Sequence, residues 1–199
     1  MYKYSLLLTD RNGNDHKTYP MMFRDALKAT QLIPKVIDVL MLGGTIFEKF
    51  RTAEVITLAE QYEALQELLR YATIEGTNVD TFDIHMAKLA FFNFVQYGRM
   101  DEGMKQYKTG DIVIDRDGNE HTAYSYLITD YDKAIELLQK IDTVNMVNNI
   151  MDVESKAAML EIVCLALNNK EQPEDITKYL DAEFARKAIR IYFDLPVMD

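Results

Sequence analysis

DRNGNDHKTY at residues 10–19 and DRDGNEHTAY at residues 115–124 are one phrase written twice. Six of the ten positions are identical at an offset of 105, and Asn12/Asp117 and Asp15/Glu120 keep their character. A period of that size in a chain of 199 residues sets the architecture before any motif does: two copies of one small module. The phrase itself is turn chemistry. Aspartate suits the first position of a type I turn, and glycine the left-handed position that follows it. Asp10 with Gly13, and Asp115 with Gly118, therefore mark two hairpin turns. Each lies between strand-like stretches, 2–9 with 14–22 and 111–115 with 119–127.

Outward from each hairpin the period becomes helical. Phe23, Ala26, Leu27 and Leu32 open a helix interrupted or restarted at Pro34, with Gly43 and Gly44 as its stop. Tyr131, Ala134, Ile135 and Leu138 do the same in the second copy. A long amphipathic helix is expected over 53–74 and again over 153–167. Each is followed by a polar break, EGTNVD at 75–80 and KEQPED at 170–175, and then a terminal helix over 82–97 or 182–193. The fold class expected is α+β and mostly helical, with two similar modules, each an N-terminal β-hairpin followed by three to four helices. Module one spans 1–98 and module two 111–199. The polar, glycine-bracketed stretch RMDEGMKQYKTG at 99–110 is the joint and could hold a short helix.

Charge separates the copies. Residues 1–108 hold 13 Lys/Arg and 14 Asp/Glu, whereas 109–199 hold 9 and 18, within a chain of net charge −10. A net-acidic chain without a basic stripe is a poor nucleic-acid binder. An acidic half could face a basic protein or serve solubility. No apolar run approaches the roughly 20 residues a membrane span needs, and the opening MYKYSLLLTD does not read as a signal peptide. The single cysteine, Cys164, has no disulfide partner in the chain, which fits a reducing, cytoplasmic setting.

Chemistry-bearing residues are few. His16 and His121 sit just past the turns beside carboxylates, but neither has a second His or Cys at ligand spacing, so a strand histidine packed against its neighbours is the better reading. With Gly118 at the sixth position of a calcium loop, Val113 and Tyr124 fall where ligands are required, and that match fails. Cys164 lies on an apolar helix and reads as core. Nucleophile-elbow, zincin, phosphate-loop and dinucleotide motifs are absent. No catalytic residue, cofactor or metal is expected. The segment MAKLAFFNFV at 86–95 is apolar almost all round; it is either a central core helix or a surface for a protein partner or self-association. Met86, Leu89, Phe91, Phe92 and Phe94 are its candidate partner-binding residues.

The element order of module two, with the stretch PEDITKYLDAEF at 173–184 leading out of the helix over 153–167, resembles the tail assembly chaperones of siphophages with Gram-positive hosts. The opening YKYSLLLTDRNGNDHKTY is similar to the hairpin with which those proteins begin. The chain departs from that pattern in being doubled, and in having Lys178-Tyr179 where Asp-Gly is frequent. The resemblance implies a non-enzymatic protein of the host bacterial cytoplasm. Its partners would be the long, aggregation-prone tape measure protein and the tail tube subunits. The competing expectation, from the acidic second half, is a phage-encoded inhibitor of a host defence protein acting by protein–protein binding. An enzyme built on His16 or His121 is the weakest alternative.

Overall fold

The structure, a computed structural model, describes residues 6–40, 58–95, 106–141, 153–170 and 172–195. It divides into two compact units, residues 1–109 and 110–199. Unit one carries strands β1 (Leu6–Thr9) and β2 (Asp15–Thr18), helices α1 (Ala26–Leu40), α2 (Leu58–Ala72) and α3 (Ile84–Val95), and strand β3 (Gln106–Lys108). Unit two carries β4 (Asp111–Ile114), β5 (Glu120–Ala123), α4 (Tyr131–Lys140), α5 (Val153–Ala166), α6 (Pro173–Tyr179) and α7 (Ala182–Tyr192). The α+β, mostly helical fold of two similar hairpin-plus-helices modules is thus the observed one.

Each hairpin pairs in the same antiparallel register at the offset of 105: Leu8 with His16, and Val113 with His121. Its exit is stitched to two helix ends. The Tyr19 N–H donates to the Ala72 carbonyl at the end of α2, and the Met21 N–H to the Phe94 carbonyl in the last turn of α3. Tyr124 to Ala166 and Tyr126 to Tyr192 repeat both bonds in module two. These are helix C-terminal carbonyls without intrahelical donors, so the hairpin serves as their cap. Register and helix packing therefore fix one another.

Apolar stripes form the two cores. Leu32, Val36, Leu65, Leu68, Leu69 and Phe82 are buried in module one, and Leu137, Ile162, Val163, Phe184 and Ala188 in module two. One buried polar relay crosses module one: the Asn93 amide donates to the Thr18 hydroxyl at 2.9 Å, and that hydroxyl to the Leu6 carbonyl. It satisfies groups that would otherwise be costly to bury.

Two expectations need adjustment. The stretch 99–110 is not merely a joint: Gln106–Lys108 is a strand laid parallel on β1, and the unit boundary falls between Thr109 and Gly110. No local pattern in three residues announces parallel pairing with a strand about a hundred positions away. The polar break of module two contains a helix of its own, α6, entered at Pro173 where a missing N–H costs nothing. Module one has only a 3-10 turn there, Val79–Thr81. The expected helix start at 53–57 and the end of the first helix at 41–44 lie outside the described residues.

Gly110, with φ +96°, begins module two in a conformation that side chains rarely adopt, and a Cβ there would stand 2.8 Å from both Thr122 and Tyr124. Gly13 has φ +84° with open space around it. Gly13→Ala should therefore cost about 1 kcal/mol from backbone strain alone. Gly110→Ala should cost clearly more, measured by urea unfolding of the full chain. Equal losses would show that the close approach at Gly110 is unimportant.

Candidate functional site

The duplicated phrase folds into a cage around one carboxylate. Asp10 Oδ1 accepts the backbone N–H groups of Asn12 and Asn14, each at 2.9 Å, and both carboxylate oxygens accept from the Asn14 side-chain amide. The second oxygen also meets His16 Nε2 at 2.9 Å. In module two Asp115 holds Asp117, Asn119 and His121 in the same way, with the histidine contact at 3.1 Å. An ionised carboxylate only accepts, so Nε2 carries the proton in both copies. With so many donors around it, the Asp10 carboxyl lies at about 2, below the ordinary aspartate value. Asp115 is lowered likewise, first by the Asn119 amide.

This arrangement assigns the histidines. Both are mostly buried, at 11% and 14% side-chain exposure. His16 meets the Phe82 ring edge-on, whereas His121 stacks on Tyr179 and meets Phe184 edge-on. Each imidazole clamps the turn to its module's terminal helical segment. Among the described residues no group of three His, Cys, Asp or Glu is placed to hold a metal. Cys164 is buried on α5, and burial pushes its thiol up, away from the reactive thiolate.

Of the sequence candidates for partner binding, Met86, Phe91 and Phe94 lie in the core of module one at 3% exposure or less. Leu89 and Phe92 are only partly covered. Helix α3 is thus chiefly a core element, and the aromatic-rich segment owes its composition to that position.

Two open grooves were not legible in the sequence. In module one a groove of about 750 Å³ runs beside the hairpin exit, lined by Tyr19, Met22, Arg24, Arg70, Tyr71 and Ile74 among others. Met22, Tyr71 and Ile74 are 40%, 37% and 48% exposed, more than a helix end and a loop need for packing. In module two a groove of about 580 Å³ lies between α5 and the α6–α7 corner, with Met159, Leu160, Val163 and Leu180 inside and Lys156 and Arg186 also in its lining. Neither groove includes His16 or His121. In module one, lone apolar residues at element ends gave no periodic signal; in module two, Met159, Leu160 and Val163 belong to a helix read as core-facing, so nothing marked them as lining an open groove.

The known family models, the curated proteins and the solved structures hold no match to this chain. No helix among the described residues is long and apolar enough to cross a membrane.

Asp10→Ala strips the shared charged acceptor from the Asn12 and Asn14 N–H groups and from His16 and should destabilise module one by about 1–3 kcal/mol, read by urea unfolding. The wild-type contribution should persist at neutral pH. Because the folded value is depressed, it should start to fall below the ordinary aspartate value of 3.8 and be lost as pH drops through about 2. Identical acid unfolding of wild type and Asp10→Ala would contradict this assignment.

Proposed function

We propose that this protein is a non-enzymatic assembly chaperone of the phage tail type, which holds a long helical tape measure protein and presents it to tail tube subunits. The observation that carries the reading is the pair of open grooves, one in each module, each lined by apolar side chains mixed with charged ones. A partner with a repeating apolar stripe can engage two such sites on one chain. Two individually weak contacts then act with an effective concentration set by the chain between them, yet each releases readily when tube subunits compete. An assembly factor needs that combination of avidity and reversibility. The sequence resemblance in residues 173–184 and the opening hairpin supports the same reading.

Inhibition of a host defence protein is less favoured. A nucleic-acid mimic needs an unbroken carboxylate array. In module two Glu136 and Glu161 pair with Lys133, Asp175 with Lys178, and Glu183 with Lys187, which interrupts the negative field.

Co-expression with the tape measure protein of the same genome should keep that protein soluble and yield a complex on size-exclusion chromatography. Met22→Glu combined with Ile74→Glu should weaken the complex about tenfold or more by placing charge on an apolar contact, with a melting temperature close to wild type because both side chains are exposed. An insoluble tape measure protein, with no co-elution of either tail component, would remove the proposal.

A further inference from the structure

Among the described residues module two has no counterpart of the strand that closes module one. In module one β3 covers the outer edge of β1, where the Thr109 N–H donates to the Thr9 carbonyl at 3.1 Å. The Thr109 hydroxyl bonds the Asp83 carboxylate, which also caps α3 through the Met86 N–H at 2.8 Å. At the offset of 105, Thr9 corresponds to Ile114 and Leu7 to Ile112. Asp181, which caps α7 through the Phe184 N–H at 2.8 Å, corresponds to Asp83. The covered and uncovered versions differ at each position. Thr9 and Asp83 are 8% and 1% exposed, whereas Ile112 and Ile114 are 56% and 55% exposed and Asp181 is open to solvent.

The backbone is equally open. The Asp115 N–H bonds the Asn119 carbonyl. By antiparallel alternation Val113 and Asp111 then face β5, and Ile112 and Ile114 turn their N–H and C=O groups to the outer side. Among the described residues that edge has no partner strand. A short edge carrying two exposed isoleucines is a pairing template.

We infer that the outer edge of β4 is a strand-acceptor site for an extended, basic segment of a partner protein. That segment lies parallel to β4 and carries a serine or threonine whose hydroxyl reaches Asp181. β3 is the pattern for it: the stretch Lys105-Gln106-Tyr107-Lys108-Thr109 is basic and ends in the hydroxyl that bonds Asp83. Charge selects in the same direction. On the hairpin itself exposed Asp111, Asp117 and Glu120 outnumber Arg116, so lysine or arginine on the incoming strand is favoured there; Asp181 shares its surroundings with Lys156 and Arg186. A second copy of this chain is a poorer occupant. Its own β3 is engaged on β1, and β4 against β4 would set two acidic edges together with no hydroxyl for Asp181. The site does not depend on the partner being a tail protein.

A capped peptide with the sequence of residues 103–110, GMKQYKTG, is the probe, titrated into the ¹⁵N-labelled full chain. The amide shifts should move most at Ile112, Ile114 and Phe184, and exchange at Ile112 and Ile114 should slow. Replacing both peptide lysines with glutamate should weaken binding about tenfold. Ile112→Pro should abolish it by removing an outward N–H. Asp181→Asn, which keeps the α7 cap, should weaken it several-fold with the fold intact. No shifts at β4 with millimolar peptide, equal binding of the glutamate peptide, or a dimer of the free chain that Ile112→Pro dissolves would each overturn the proposal.

Discussion

A buried carboxylate that gathers its own turn is the constraint on which each module rests. Asp10 and Asp115 accept two backbone N–H groups, an asparagine amide and an imidazole apiece. Such a group is costly to bury unless every lone pair is used, and once satisfied it specifies one geometry. That geometry sets the hairpin register. The register in turn delivers Tyr19 or Tyr124 to the end of the long helix and Met21 or Tyr126 to the end of the terminal one. A single aspartate thus connects turn, sheet and two helices.

The repeat made most of the fold legible. Asp10, Gly13, Asp115 and Gly118 mark turns because few residue types tolerate those positions, and the apolar stripe of α2 is regular enough to read; α5 is apolar nearly all round, and Ala157, expected on its inner face, is exposed. What escaped was β3, three residues whose pairing partner lies at the other end of its module and which carry no local signature. Pro173, Glu174 and Asp175 do suit a helix start, but nothing local told that this helix ends before α7 begins. The role of His16 and His121 was half visible. Their place beside a carboxylate could be read, but not that the carboxylate was the turn aspartate six residues back rather than the adjacent one. The segment 86–95 shows the reverse difficulty. An apolar composition cannot distinguish core from interface, and burial of Met86, Phe91 and Phe94 places them in the core.

Duplication followed by divergence explains how one frame can present two different surfaces. The cage, the stitches and the caps are shared. The third strand, the extra helix and the charge are not. Among the described residues module one is covered at the β1 edge and offers a groove beside Tyr71 and Ile74; module two is acidic, with no strand on the β4 edge and a groove against α5. These differences lie outside the shared cage, stitches and caps, so they change the surface each module presents without disturbing what folds it.

Residue-resolved amide hydrogen exchange on the free chain tests this account most directly. The account requires Tyr19 and Tyr124, whose N–H groups make the same bond in both modules, to be protected alike. It also requires Thr9 to exchange slowly beneath β3 while its counterpart Ile114 exchanges near the rate of an unpaired amide. Ile114 protected as strongly as Thr9, or Tyr124 exchanging freely while Tyr19 does not, would contradict it.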